Sequence, residues 1–300
     1  MTPPFVSYTT FNRLGLTARN LNSLLSNTTD DFELHIIDNN SQDGTWDYVQ
    51  TLTDSRIKSK TRFEINFGPI YSVNFNLARR RPDQYFIVIE GDVHQYAPDW
   101  ISRFMRVFEA FPEVGLLGMS RPSPYPPFLP EVSLQERNGV NYLQLARTEV
   151  NGTLDFIPGQ CQMLRPELIS MLGYWCEECG YGDAELSLRT NNYTPYKAGF
   201  VIDVPTDMEQ SVPCEGCQAS PWCRFDKVSY KCQDVWASKH KNEGFVAANG
   251  WKYNAYFNEL SQGLRTAYCA SIHDPASIST HLYHMDWALE NFAYYIINAN

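Results

Sequence analysis

No stretch of this 300-residue chain stays apolar for the roughly 18 positions that a membrane-spanning helix requires. Charge is scarce too. Asp, Glu, Lys and Arg make up 19% of the residues, and no run of lysines and arginines is longer than three residues, so they form no basic block. With 34 acidic against 24 basic residues the net charge is −10, which disfavours a nucleic-acid backbone or an anionic membrane surface as the main partner. Met1-Thr2-Pro3-Pro4 leads straight into a strand-like segment, without the basic and apolar regions of a secretory signal. The expected compartment is therefore cytoplasmic, where thiols stay reduced or bind metal. Apolar residues nevertheless reach 43%, which excludes a disordered chain, and aromatics reach 14%, which suits pockets that stack on planar or sugar rings.

Phe5-Val6-Ser7-Tyr8-Thr9 reads as a short strand, and Leu14, Ala18, Leu21 and Leu25 then recur with the spacing of an amphipathic helix. Phe32 to Ile37 reads as a second strand, stopped by the turn residues Asp38 to Thr45. Helical segments are expected over Trp46–Leu52 and Asn66–Arg79. Tyr85 to Ile89 is a continuous apolar run, as in a strand buried on both faces. Ile101, Phe104, Met105 and Phe108 mark another helix, Val114 to Met119 another strand, and further helices are expected from Pro166 to Leu172 and from Tyr181 onward. Strands alternating with helices predict right-handed crossovers and a mainly parallel sheet with helices on both faces, a Rossmann-like α/β architecture. Arg121–Pro130, with five prolines in ten residues, interrupts this regularity as either a surface connection or a stiff wall of an active-site mouth.

In open α/β sheets ligands bind beyond the carboxyl ends of the strands. Three polar clusters fall at such ends: Thr9-Thr10, Asp38-Asn39-Asn40 and Glu90-Gly91-Asp92. A carboxylate after each of two neighbouring strands can serve a nucleobase N–H with one group and a hard divalent cation with the other. Mg²⁺ and Mn²⁺ commonly bind one or two carboxylates together with phosphate oxygens.

The chain in fact resembles the family 2 glycosyltransferases of the GT-A fold. The resemblance rests on Phe5–Leu25, on Asp38-Asn39-Asn40-Ser41-Gln42-Asp43-Gly44-Thr45, and on Asn66-Phe67-Gly68 with Asn74. It continues through Tyr85–Asp92, Pro158–Arg165 and Gly182-Asp183-Ala184-Glu185-Leu186, so it covers roughly residues 5–205 in the family's order. It implies that Thr9 and Asp38 contact the nucleobase of a donor nucleotide, that Arg13 meets the base or a phosphate, and that Asn40 and Asn66 belong to the same donor site. Glu90 and Asp92 stand at the family's Asp-x-Asp positions. The resemblance puts Asp92 on the metal and Glu90 and Gly91 on the nucleotide, with Glu90 departing from the usual Asp. Asp183 matches the catalytic base, which takes the acceptor's proton as its oxygen attacks the anomeric carbon; the residue-level alternative is an N-terminal helix cap. Family members often complete the metal shell with a His beyond the base helix. Thr206–Ser211 holds none, which leaves His281 and His284 as candidates, beside the reading that both are ordinary core or surface histidines.

Past Gln210 the composition changes. Residues 211–300 hold five of the eight cysteines and are nearly charge-balanced, with 7 basic and 8 acidic residues, while the first 210 carry −9. This predicts a catalytic domain over 1–210 and a Cys- and aromatic-rich C-terminal extension over 211–300, packed on the acceptor side. Cys214, Cys217, Cys223 and Cys232 fall within 19 residues and are candidates for a structural Zn²⁺ site, for two disulfides, or for plain buried thiols.

The activity these features imply is metal-dependent transfer of a sugar from a nucleoside diphosphate sugar, UDP- favoured and GDP- as the alternative, to an acceptor hydroxyl, with inversion. Mn²⁺ or Mg²⁺ is the implied cofactor. The acceptor is a glycan, a small molecule, a protein or a modified nucleobase. A catalytically silent nucleotide- or carbohydrate-binding protein on the same fold is the first rival. A sugar nucleotidyltransferase is weaker, because only Gly15 and Arg13 stand where a Gly-rich basic triphosphate loop belongs.

Overall fold

The computed structural model describes residues 2–119, 131–146, 156–176, 182–202, 204, 206–208, 255 and 258–264. Strand β1 (Phe5–Thr10) is followed by helix α1 (Leu14–Asn27), β2 (Glu33–Asp38), α2 (Thr45–Thr51), β3 (Ile57–Arg62) and α3 (Pro69–Leu77). Then come β4 (Phe86–Glu90), β5 (Val93–Gln95), α4 (Trp100–Ala110), β6 (Val114–Gly118) and the hairpin β7 (Val132–Arg137) and β8 (Val140–Leu145). The described chain continues through β9 (Cys161–Leu164), α5 (Pro166–Leu172), α6 (Gly182–Tyr193), β10 (Lys197–Val201) and β11 (Thr206–Met208).

Side chains alternate across β1 and β4, and this alternation builds a core on each face of the sheet. Val6, Tyr8, Ile87 and Ile89 join Leu21 and Leu24 of α1, Val49 of α2 and Trp100, Phe104 and Phe108 of α4 in one apolar cluster. Phe5, Phe86 and Val88 point the other way, into a second cluster with Val73 and Leu77 of α3, Leu168 and Leu172 of α5 and Leu186 of α6. Helices thus cover both faces, as the alternation of elements predicts.

Among the described residues the main sheet has nine strands in the order β3-β2-β1-β4-β9-β6-β10-β8-β7, and β5 pairs with β11 in a small separate sheet. β3, β2, β1 and β4 run parallel, as do β6 and β10. β9 lies antiparallel between β4 and β6, and β8 antiparallel to β10 and β7. The parallel part follows from the strand-helix alternation. The antiparallel part does not, because β9 and the β7–β8 hairpin lie beyond the stretch where that alternation holds.

The buried face of α1 also differs from the expected stripe. Leu21 is buried, but Leu14, Ala18 and Leu25 are half-buried, and the deepest face carries Thr17, Asn20, Leu21, Ser23 and Leu24. The reason lies opposite that face, where backbone groups of the β4–β5 segment need partners: Asn20 donates to the Gly91 carbonyl and Ser23 accepts from the Gln95 N–H. Among the described residues no helix is long and apolar enough to cross a membrane. The proline-rich segment, the expected boundary near residue 210, and the extension apart from residues 255 and 258–264 lie outside the described residues.

β10 fits between its neighbours through Gly199. A Cβ built there would stand 2.4 Å from the Leu143 carbonyl oxygen and 2.7 Å from the Tyr142 ring. Gly199→Ala must therefore part β10 from β8. The expected loss of stability, read from urea denaturation, is about 2–4 kcal/mol, the range for an overpacked core position.

Candidate active site

The register of the parallel strands sets the site. Thr10 lies opposite Asp38 on β2, and Thr9 lies opposite Glu90 on β4, so the ends of three strands meet at one edge of the sheet. Two loops cross that edge and are stitched together. The Asn12 N–H donates to Ser41 Oγ at 2.7 Å, and the Gln42 N–H donates to Asn12 Oδ1 at 2.9 Å. Arg13 takes a left-handed conformation with φ of 64° immediately before α1, so its own side chain does not cap the helix. Asp43 from the neighbouring loop caps it instead, accepting from the Leu14 N–H at 2.8 Å. That carboxylate also holds Thr45 at the start of α2. The arrangement leaves the Arg13 side chain turned toward the site.

Asp38 is fully buried. Its Oδ1 accepts the Ser41 N–H at 2.9 Å and lies 3.5 Å from Arg62 Nε, while its Oδ2 has no hydrogen-bond partner. Burial pushes its pKa up, against the pull of the Ser41 and Arg62 contacts. Thr9 Oγ1 is likewise buried without a partner. Such atoms are rare enough in folded proteins to mark places where a ligand supplies the missing bond.

Three carboxylates gather beyond β4. Glu90 ends that strand, Asp92 follows the intervening Gly91, and Asp183 stands in the first turn of α6. Arg13 Nη1 lies 3.8 Å from Asp92 Oδ2. Gly159 packs between the other two: a Cβ built on it would lie 3.2 Å from Glu90 Oε1 and 3.8 Å from Asp183 Oδ2. The Gly159 N–H donates to Asp183 Oδ2 at 3.1 Å, and the Ala184 N–H to Asp183 Oδ1 at 2.8 Å. Burial raises the pKa of Asp183 although these donors oppose the shift. Glu90 is pushed up to about 8, first by burial and then by the negative charges of Asp92 and Asp183, with Arg13 offsetting part of the effect.

Such crowding of like charge is what a hard divalent cation relieves, and oxygen donors are what Mg²⁺ and Mn²⁺ prefer. Among the described residues no three His, Cys, Asp or Glu side chains converge to cage an ion. Glu90 and Asp92 fit a cation that takes the rest of its shell from phosphate oxygens and water.

Glu185, the second acid of the Gly182–Leu186 motif, turns inward. It forms a fully buried ion pair with Arg189 one helical turn on, and Arg189 also donates to the carbonyls of Leu172 and Tyr174. On the other side, Asn74 of α3 exchanges two hydrogen bonds of 2.9 Å with the Trp175 backbone. These contacts fix the chain ahead of α6, and with it the position of Asp183.

Of the residues singled out from sequence, Thr9, Arg13, Asp38, Glu90, Gly91, Asp92 and Asp183 come together at this edge. Asn40 sits on the same loop with φ of 66°, held by the Gln42 side chain. Asn66 accepts the Gly68 N–H, which shapes the turn into α3. His281, His284, Cys214, Cys217, Cys223 and Cys232 lie outside the described residues. Sequence reading missed Arg62, because β3 reads Ile-Lys-Ser-Lys-Thr-Arg and lacks the apolar run sought for a strand. Its alternation of Lys58, Lys60 and Arg62 is the signal of a polar edge strand. It also missed Gly159, whose role is a matter of space.

Arg189→Met leaves the Glu185 carboxylate buried without its cation. The expected cost is about 3–5 kcal/mol in urea denaturation, and Glu185→Leu in the same chain restores part of it.

Solved structures similar to this chain share its fold. The mannosyltransferase PcManGT from Pyrobaculum calidifontis, in complex with GDP-Man and Mn²⁺, is 16% identical with a TM-score of 0.53, over 98% of this chain and 85% of that one. TarS 1-349 of S. aureus in complex with UDP is 18% identical with a TM-score of 0.49, over 68% of this chain and 59% of that one. Glucosyl-3-phosphoglycerate synthase from Mycobacterium tuberculosis, with Mn²⁺, UDP and phosphoglyceric acid, is 15% identical with a TM-score of 0.49, over 80% and 78% of the two chains. The match spans between 36% and 59% of the length of the TarS structures. Residues 6–172, more than half of the chain, match the sequence profile of glycosyl transferase family 2, and the chain belongs to that family.

Proposed function

We propose that this chain moves a sugar from a nucleoside diphosphate sugar to an acceptor hydroxyl, with inversion at the anomeric carbon and with Mn²⁺ or Mg²⁺ at Glu90 and Asp92. The observation that carries the reading is the meeting of Glu90, Asp92 and Asp183, beside Arg13, at the carboxyl ends of parallel strands. The roles follow from position. The acceptor is a glycan, a small molecule, a protein or a modified nucleobase, and its hydroxyl approaches Asp183. Its oxygen bonds to the anomeric carbon as the bond from that carbon to the diphosphate oxygen breaks, and the hydroxyl proton passes to Asp183. Burial suits this carboxylate to the task, since a raised pKa makes it a stronger base. A divalent cation bound at Asp92 and Glu90 would offset the negative charge that grows on the departing diphosphate. Arg13 adds a fixed positive charge on the same side.

Asp38 supports a uridine donor over a guanosine one. Its Oδ1 is engaged by Ser41 and Arg62, so one oxygen remains to accept from a base. Uracil offers one ring N–H, whereas guanine presents an N–H and an amino group side by side that ask for two acceptors. Because the open oxygen is shielded from solvent, base entry has to displace loop atoms around it. GDP-sugars are the alternative donors, with the complex of PcManGT as the precedent on this fold.

The test is thermal stability against nucleoside diphosphates with and without Mn²⁺. At about 100 times its dissociation constant a ligand adds about 2.7 kcal/mol, roughly 5–10 °C in Tm. The expected result is a metal-dependent rise with UDP at lower concentration than with GDP, lost in Asp92→Ala. No response to any nucleotide from a well-folded sample would overturn the reading. Asp183→Asn should keep UDP binding and lower sugar transfer by about 10²–10⁴-fold, measured as release of UDP from UDP-sugars in the presence of acceptor. Nucleotide binding by the wild type with no sugar consumed from any donor would instead identify a silent binding protein.

A further inference from the structure

The peptide between Glu90 and Asp92 is held from behind by side chains outside the strand-end clusters. The Gly91 carbonyl accepts two side-chain hydrogen bonds, from the Tyr8 hydroxyl at 3.2 Å and from Asn20 Nδ2 at 3.1 Å. Tyr8 and Asn20 are both fully buried. Asn20 is oriented in turn. With its Nδ2 committed to Gly91, its Oδ1 faces His94 Nδ1 at 3.2 Å, so that ring nitrogen carries the proton and donates. His94 lies against the Tyr96 ring, 4.6 Å between centroids, on β5, which pairs with β11 in a register that sets His94 opposite Asp207. The chain of contacts therefore runs from β11 and β5, through His94 and Asn20, to the carbonyl between the two carboxylate-bearing residues.

A buried Asn in the middle of a helix and a buried Tyr in a central strand are costly choices for a core unless their polar atoms are used. Here both converge on one carbonyl oxygen. Space favours glycine at position 91, since a Cβ would stand only 3.2 Å from the Thr9 carbonyl oxygen. Without side-chain constraint a glycine peptide rotates freely. The two donors remove that freedom and so fix the directions in which Glu90 and Asp92 leave the backbone. Burial and the nearby charge of Asp92 raise the pKa of Tyr8, which keeps its hydroxyl a donor.

We propose that Asn20, oriented by His94, acts with Tyr8 as a positioning device that clamps the Gly91 carbonyl and thereby sets the affinity of Glu90 and Asp92 for their divalent cation. This rests on the reading of Glu90 and Asp92 as the metal-binding pair. The device is a preorganised support. It touches neither cation nor donor, and its loss weakens metal binding while leaving the nucleobase site around Asp38 intact.

The experiment is a Mn²⁺ titration of the full chain, followed by the electron paramagnetic resonance signal of free Mn²⁺, without nucleotide and again with UDP. Melting temperature is recorded on the same samples. Tyr8→Phe removes only the hydroxyl, His94→Phe keeps the tilted ring contact with Tyr96 and removes the donor to Asn20, and Asn20→Ser removes the reach to Gly91. Each is expected to weaken Mn²⁺ binding by on the order of fivefold, the worth of one buried hydrogen bond, at temperatures where the variant is fully folded. A lower melting temperature with unchanged Mn²⁺ affinity in Tyr8→Phe and His94→Phe would make the network merely structural and overturn the proposal, even if Asn20→Ser fails to fold. Failure of UDP to alter Mn²⁺ binding by the wild type would count against the donor reading, while the comparison of variants in Mn²⁺ alone still decides this one. A wild type that binds no Mn²⁺ under either condition would overturn both.

Discussion

The parallel registry of β2, β1 and β4 is the constraint on which the rest of this structure depends. A one-residue slip of any of these strands would turn its side chains to the opposite face. Val6 and Tyr8 would leave one core and Phe5 the other, and the ends of the strands would no longer align. Because Thr10 sits opposite Asp38 and Thr9 opposite Glu90, burial of the two apolar faces and assembly of the polar edge are consequences of one alignment. The carboxylates at this edge need no fold of their own. Asp38 and Glu90 are the last residues of β2 and β4, and Asp92 stands two positions beyond Glu90.

That edge is electrostatically unfavourable as it stands. Asp38 is buried with one oxygen lacking a donor, and Glu90 sits between two other carboxylates. Arg13 and Arg62 each offset one part of the charge, and backbone N–H groups steady Asp183, Asp38 and the helix starts. The remaining imbalance is of the kind that a nucleotide carrying an N–H at one end and a metal-bound diphosphate at the other would correct. The buried Glu185–Arg189 pair and the Asn74–Trp175 contacts hold the surrounding framework.

Much of this was legible in the sequence, for reasons that differ by residue. Strand β4 carries an unbroken apolar run from Phe86 to Ile89 because both of its faces are covered, β1 and β2 keep enough apolar residues between polar ones to read as strands, and α4 shows its buried stripe of Ile101, Phe104, Met105 and Phe108 without ambiguity. Asp38, Asp92 and Asp183 stand out because turn residues or glycines flank them at element ends. β3 was hidden by its alternating lysines, and β9 by a length of four residues, too short for periodicity to speak. The inward turn of Glu185 depends on Arg189, a partner that helical spacing offers but does not compel. Tyr8 sits in an ordinary strand pattern and Asn20 beside the apolar stripe of α1, and nothing local shows that their polar atoms meet one carbonyl 83 and 71 residues away.

The antiparallel strand β9 has a wider meaning. It separates the strands that carry Thr9, Asp38 and Glu90 from the part of the chain that carries Asp183, and it brings Gly159 and Gln160 against the end of β4. There the Glu90 N–H donates to the Gln160 carbonyl, while the neighbouring Gly159 N–H donates to Asp183. Glu90 and Asp183 are thus both held by the short stretch from Gly159 to Gln160. A displacement of this stretch would move the hydrogen-bond partners of Glu90 and of Asp183 together, so what steadies one also steadies the other. For any two ligands that this stretch couples, the factor that one applies to the affinity of the other is returned in equal measure.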